Sequence, residues 1–421
     1  MTALQEGKAC NPGFSFLDAL LLLFLFEAPI LHSYLFVAGN AYATGNHAAV
    51  YIAVAVLAVL CLIGNVRGYI SKELLLLLLL FAAVGASYIV TGLRLGTNAI
   101  YKSELKAFIA MLVCTLLLTL NVFWRGKTEI HAPLVLALDV VLTVVCFLAV
   151  FRIDEQQTGG LIRDVSGLLY QNIAYYSATC FGLNIFLIKE QKLRSAGANV
   201  WMKLLLLGMS AVQILTCFLS GGRGGVILVL VLMLYGLVTR YGFRQLHKGV
   251  LAAILAVLLV FVFAPQIVSR MHLDSSGLAR TLAIFAGGYS DSSRTQMYGK
   301  ALSFFWEHPI FGNGVGSFLV YRGIYSHNAV TDILCEAGIF GLGLMIFVLI
   351  RFFRSAVRLY YSGSLYRLLI IAFLCGFTMN LFSGYIWVNQ QVWLPLTIVL
   401  SCGHGAYETQ PAAGDIQENK G

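Results

Sequence analysis

SHNAVTDILCEAGIFGLGLMIFVLI, Ser326 to Ile350, opens on a polar cap and runs past Asp332 and Glu336 into an unbroken apolar stretch. A helix that spans a bilayer takes about 20 predominantly apolar residues. Asn328 supplies a side-chain cap for such a helix, so the spacing predicts a membrane span that starts at about residue 328. The same pattern recurs along the chain, with apolar runs starting near residues 16, 48, 74, 107, 133, 173, 201, 224, 249, 366 and 386. About twelve spans follow. The last two are separated only by FSGYIWVNQQ, Phe382 to Gln391, whose weak polarity leaves eleven or twelve spans open.

Composition gives the same class. The 421 residues are 59% hydrophobic and 11% charged, with a mean hydropathy of +0.83, more apolar than a soluble core requires. The expected fold is all-α: a polytopic membrane protein of about twelve transmembrane helices, with one large outer loop containing short amphipathic helices. Residues 1–408 form a single integral membrane domain, the large loop covers about 270–327, and 409–421 is a disordered tail. The first apolar run is as long as a span and no small-residue cleavage site follows it, which argues against a cleaved signal. The nine cysteines fall almost entirely inside the spans, without a CxxC pair, and read as small apolar fillers.

Lys and Arg concentrate in loops on the cytoplasmic side of a membrane. With the N-terminus inside, the larger share of the 28 Lys and Arg residues falls on inner segments, which predicts both termini in the cytoplasm. The outer loops nevertheless keep Arg94, Lys102, Lys106, Arg163, Arg223, Arg294 and Arg322, among others. Cations where the rule depletes them point to an anionic ligand.

Four stretches concentrate the chemistry. SGGRGG, Ser220 to Gly225, squeezes Arg223 between two spans, where a guanidinium suits bidentate binding of phosphate oxygens and glycines let a ligand approach the backbone. Arg294 opens RTQMYGKALSFFWEHP, an amphipathic helix expected to place Met297, Ala301, Leu302, Phe305 and Trp306 on one face along the membrane surface. GNGVG, Gly312 to Gly316, lacks both the strand-to-helix context of a dinucleotide fingerprint and the GK[ST] ending of a phosphate loop, and reads as a flexible turn. His327 precedes the cap of the next span, where the positive helix end disfavours imidazolium. A neutral imidazole there suits a general base, a role worth about 10² to 10⁴ in rate.

Around these, Asn328 and Asp332 share the helix start with His327, Arg322 stands at the end of the large loop, and Arg163 lies in a second polar outer loop (Arg152 to Asp164) suited to sugars. Asp332 also suits stabilisation of the helix N-terminus, leaving Glu336 to pair with a neighbouring helix. All four of Arg163, Arg322, Asn328 and Asp332 are candidate substrate contacts. The outer side carries no paired carboxylates of the kind that hold Mg²⁺ or Mn²⁺, so the expectation is no metal and no cofactor.

The SGGRGG piece, an arginine opening a helix in the large loop, the hPxxGxGxGxF turn, and HN followed by nine residues and GxxG (His327 to Gly341) occur in an order that resembles the O-antigen polymerase and ligase superfamily. These motifs cover about a quarter of the chain, and the topology extends the likeness to nearly all of it. The resemblance implies a bacterial inner-membrane glycosyltransferase acting at the periplasmic face, without metal, on an undecaprenyl-diphosphate-linked oligosaccharide. It implies Arg223 and Arg294 as clamps on the donor diphosphate and His327 as the base for an acceptor hydroxyl. The extra glycine before Arg223 departs from the family's serine and leaves the donor-side geometry open. The acceptor is a second lipid-linked repeat unit in a polymerase or lipid A core in a ligase. Expected partners are these glycans, membrane lipids and a chain-length regulator protein, with no nucleic acid. The compact loop from Arg294 to His327 favours the polymerase; a transporter or flippase of a lipid-linked anionic glycan is the alternative from another class, though transporters place their charges nearer the midplane.

Overall fold

Polar residues at the ends of apolar runs decide where the helices begin. Ser71 caps α3 (Lys72–Leu95) by accepting from Leu74 N at 3.1 Å, and Asn98 caps α4 (Ala99–Arg125) by accepting from Tyr101 N at 2.7 Å. Each such cap contributes about 1 kcal/mol. The computed structural model describes residues 15–26, 45–63, 71–150, 153–154, 163–164, 170–190, 200–241 and 292–403, with backbone alone at 45–50, 153–154, 163–164, 170, 241 and 292–294. The expected span near 249, the first part of the large loop and the tail at 409–421 lie outside the described residues.

In chain order the other helices are α1 (Phe16–Phe26), α2 (Gly45–Leu62), α5 (Ala132–Val150), α6 (Tyr170–Lys189), α7 (Val200–Leu219), α8 (Arg223–Tyr241), α9 (Ser292–Glu307), α10 (Ser317–Arg322), α11 (Ala329–Leu359), α12 (Ser364–Phe382) and α13 (Gln390–Cys402). A two-residue antiparallel pair, β1 (Ile153–Asp154) with β2 (Arg163–Asp164), closes the second polar loop. Among the described residues seven helices are long and apolar enough to cross a membrane: α3, α4, α5, α7, α8, α11 and α12. The protein is a polytopic all-α membrane protein.

α6 lies in the middle of the bundle, packed by α5, α7, α8 and α12. Its polar side chains bond to neighbours: Ser177 Oγ donates to the Gln213 carbonyl at 2.6 Å and Asn184 Nδ2 to the Leu206 carbonyl at 2.6 Å. In a bilayer lipid tails are as apolar as leucine, so such bonds and close packing hold helices together.

The stretch between the last two helices is not a surface turn. Residues 383–389 run into the bundle with buried Tyr385, Ile386 and Trp387, a single 3₁₀ turn covers Ile386–Val388, and α13 starts only at Gln390. Non-helical backbone at this depth is tolerated where protein or a polar cavity surrounds it.

Ion pairs mark the face opposite the start of α11. Lys127 meets Asp18 at 2.5 Å, Arg367 meets Glu190 at 3.2 Å, and the Leu365 N–H donates to the Thr128 carbonyl at 3.0 Å.

The register of α9 differs from expectation. Ala301, Phe304 and Phe305 form its buried face against Phe318 and Cys335, with Met297 partly covered, whereas Leu302 and Trp306 are exposed. The i, i+3, i+4 spacing of 301, 304 and 305 selects the phenylalanines for the core. Leu302 and Trp306, one turn apart, are left on the outer surface of the helix.

Candidate functional site

Among the described residues His327 is the one non-glycine with positive φ, at 64°. That conformation costs an L-residue on the order of 1–3 kcal/mol and persists only where the surroundings over-determine it. Here they do. The Ser326 N–H donates to Asp332 Oδ1 at 2.9 Å, and Ser326 Oγ donates to the Asn328 carbonyl at 3.1 Å. Asn328 caps α11 by accepting from Val330 N and Thr331 N, while its Nδ2 donates to the Leu381 carbonyl at 2.9 Å. Both ends of that amide hold backbone.

The His327 ring stands edge-on to Tyr325, centroids 4.5 Å apart, and its Nδ1 lies 3.3 Å from the Ser383 carbonyl oxygen. A carbonyl oxygen only accepts, so Nδ1 carries a proton, which in a neutral imidazole leaves the lone pair on Nε2. Tyr325 stacks on Tyr385 at 5.5 Å. Burial pushes the Tyr325 phenol well above its ordinary pKa, and the Tyr385 hydroxyl acts as a donor to Glu336.

Beneath this lies a buried carboxyl. Glu336 accepts from Tyr385 OH at 2.9 Å and from Trp387 Nε1 at 2.7 Å, and Tyr88 OH donates to Tyr385 OH at 3.1 Å. Two residues further on α11 breaks at Gly338, whose φ of 67° and ψ of −167° no helix contains. The break frees two carbonyls and two N–H groups, and the Pro309–Gly314 turn takes them. Asn313 N and Gly314 N donate to the Cys335 and Glu336 carbonyls at 2.9 Å each, and Ile339 N and Phe340 N donate to the Pro309 and Ile310 carbonyls at 2.9 and 3.0 Å. The GNGVG stretch is therefore docked, not a loose turn. Its far side is tied to α3, with Arg94 reaching the Asn313 carbonyl and Val315 N donating to Ser87 Oγ at 3.0 Å, and the following α10 is tied to the cap of α4 by Asn98 Nδ2 donating to the Leu319 carbonyl.

Arg223 opens α8 and is exposed. The glycines around it serve helix packing: a Cβ at Gly222 or Gly225 would stand 2.4 or 2.7 Å from atoms of Ala174 in α6. Only glycine allows α8 to lie this close to α6. Gln171, on the α6 turn beside Gly222, accepts from Ser383 Oγ at 2.8 Å, and Ser383 presents its carbonyl to His327. The Arg223 turn and His327 thus meet at one end of the bundle, through Gln171 and Ser383.

A cavity of about 690 Å³ opens beside this junction, between α4, α6 and the 383–389 segment. Lys102, Lys106, Tyr175, Gly384, Tyr385 and Gln390 are among the groups that line it. Tyr175 is the residue against which Gly224, next to Arg223, packs. Glu104 stands between the two lysines in the same lining, and the rest of the wall is largely apolar.

Of the expected residues with described side chains, Arg223, Arg322, His327, Asn328 and Asp332 are not among the groups that line it. Arg294 is in the first turn of α9, its side chain outside the described atoms. Arg322 ends α10, exposed, with its guanidinium carbon 5.7 Å from the Tyr321 ring centroid. Arg163 pairs with Asp154 across the small hairpin by backbone register. Asp332 is fully buried and holds the loop before His327. Reasoning from sequence missed Lys102 and Lys106 as cavity groups, although their one-turn spacing in a loop that should lack cations was the available signal. It also missed Tyr385 and Trp387, hidden in a stretch that looked like a turn.

The chain is thus a polytopic helical membrane protein in which a strained histidine and the Arg223 turn meet through Gln171 and Ser383, next to a chamber walled in part by Tyr175, Gly384 and Tyr385. Residues 206–346 match the O-antigen ligase family model, and this segment is a domain of the O-antigen polymerase and ligase superfamily, whose members are glycosyltransferase-type enzymes. It contains Arg223, Arg294, His327, Glu336 and the Gly338 break. No curated protein and no solved structure matches the chain.

Proposed function

We propose that the protein moves a glycan from an undecaprenyl-diphosphate-linked donor to a sugar hydroxyl at the periplasmic face of a bacterial inner membrane, as a repeat-unit polymerase. The observation that carries this reading is the pinned His327 ring, with Nδ1 on the Ser383 carbonyl, at the same end of the bundle as Arg223 and the chamber. In the reaction Nε2 takes the acceptor hydroxyl proton as the oxygen bonds to the donor's anomeric carbon. The bond from that carbon to the diphosphate oxygen breaks, and the electron pair leaves with the diphosphate. Arg223 and Arg294 hold the departing charge, the largest electrostatic demand of such a transfer. Arg163, Arg322, Asn328 and Asp332 would serve substrate directly or by holding the His327 loop. The donor is already activated, so no metal is required.

A second reading, ligation to lipid A core, is favoured by the description of the matched family model. Cells lacking the protein separate the two: a single repeat unit retained on lipid A core means polymerase, and no O-chain at all means ligase. Reconstitution with labelled lipid-linked oligosaccharide tests both against transport. A new glycosidic bond supports transfer, and unchanged label moved across the bilayer refutes it.

A further inference from the structure

The end of the bundle away from His327 holds a second built cavity. It measures about 200 Å³ and lies between the last turns of α11, the start of α3 and the end of α13. Arg351, Arg354 and Arg358 line it from α11, Ser355 adds a hydroxyl, and Glu73 is its acidic group. The three arginines recur at i, i+3 and i+7, one face of a helix. Among the described residues, three arginines and one glutamate line it, and the Arg351–Glu73 pair is long, 3.9 Å.

Beside this stripe on the same helix, Phe347, Ile350, Phe353 and Val357 are exposed apolar side chains. A concave pocket lined by arginines therefore lies alongside a strip of exposed apolar surface on the same helix. A ligand that satisfies both has an anionic head and a hydrocarbon tail. Soluble anions satisfy only the pocket, and neutral lipids only the strip.

We propose that this is a binding site for an anionic phospholipid, its phosphodiester held by Arg351, Arg354 and Arg358 and an acyl chain along Phe347 to Val357. The site is independent of the chemistry at the other end of the molecule. Basic residues at a membrane surface each favour anionic lipid by about fivefold in affinity, so removing two weakens binding about thirtyfold.

The test is native mass spectrometry of the purified full-length protein titrated with phosphatidylglycerol, phosphatidylcholine or inorganic phosphate. Wild type is expected to retain phosphatidylglycerol in preference to phosphatidylcholine, and R351Q/R354Q to lose that preference about thirtyfold while eluting as the same species on size exclusion. Equal retention of the two lipids by wild type overturns the proposal, whatever the variant does. So does an unchanged preference in the variant. Displacement of phosphatidylglycerol by inorganic phosphate would mean a soluble-anion site and also overturns it.

Discussion

Replacing Gly338 by alanine tests whether the docked turn builds the chamber end of the molecule. At φ 67°, ψ −167° a side chain is strained by on the order of 1–3 kcal/mol. The added Cβ would stand 2.3 Å from the Ile310 carbonyl oxygen and 2.7 Å from Gly312 N, both backbone atoms of the turn. No rotamer relieves that contact, and overpacking of this kind costs about another 1–3 kcal/mol. Against it stand the four turn-to-helix hydrogen bonds, each net about 1 kcal/mol. Cost and docking energy are therefore comparable, near 4 kcal/mol, so the turn is expected to detach rather than the protein to unfold. The control is Gly343→Ala on the same helix, where a Cβ meets nothing within 4 Å. Limited proteolysis of the purified variants reads the turn directly, and glycan chain length in complemented cells reads the site. G338A should be cleaved between Pro309 and Gly316 and make little or no long-chain product, with G343A like wild type. A protected turn and a normal ladder in G338A would refute the reasoning.

Under the proposed function, H327A and R294A should abolish chain growth at unchanged protein level, a loss of at least about 10² in rate for the base; near-normal long-chain glycan from either, on silver-stained gels, removes that residue from the site. Arg223→Lys keeps the charge and loses the planar fork, so turnover of labelled donor should fall with it if bidentate binding matters, and full activity would show that charge alone suffices. Glu336→Leu leaves the buried Tyr385 hydroxyl and Trp387 N–H without their acceptor, a loss of about 1–3 kcal/mol for each, read as a lower Tm in detergent. Transfer in EDTA should match transfer in buffer; loss of turnover restored by a divalent ion would contradict a metal-free site.

The helices were legible because a membrane span is written as length plus hydropathy, and both survive without knowledge of partners. Asn328 was readable as a cap, since a cap is a local bond between residues a few positions apart; Asn98 was passed over, and the helix expected from about 107 begins at Ala99. What stayed hidden depends on contacts between distant segments. The SGGRGG glycines suggest close approach of some backbone, and only the position of Ala174 shows that the approaching group is α6. The α9 register failed because Leu302 and Trp306 are as apolar as Phe304, and hydropathy cannot tell a bilayer-facing side chain from a core one. Lys102 and Lys106 counted as loop charge until α6 and the 383–389 segment closed a wall opposite them.

Two irregular segments, the Gly338 break and residues 383–389, sit inside the bundle, where every unpaired backbone group costs several kcal/mol. They are tied to each other by one side chain. Glu336 lies two residues before the break, gives its carbonyl to the docked turn, and takes Tyr385 OH and Trp387 Nε1 from the other segment. The same segment holds the Ser383 carbonyl that orients His327 and the Gly384 and Tyr385 wall of the chamber. A regular helix would have no carbonyl to spare at Ser383. The helical irregularities that lower packing order are thus what place polar groups at depth, and Glu336 is the brace that keeps them from relaxing. It follows that Glu336→Gln, which preserves shape and an acceptor oxygen, should retain more of the chain-length distribution than Glu336→Leu; equal loss in both would mean that the negative charge, and not the brace, is what the site needs.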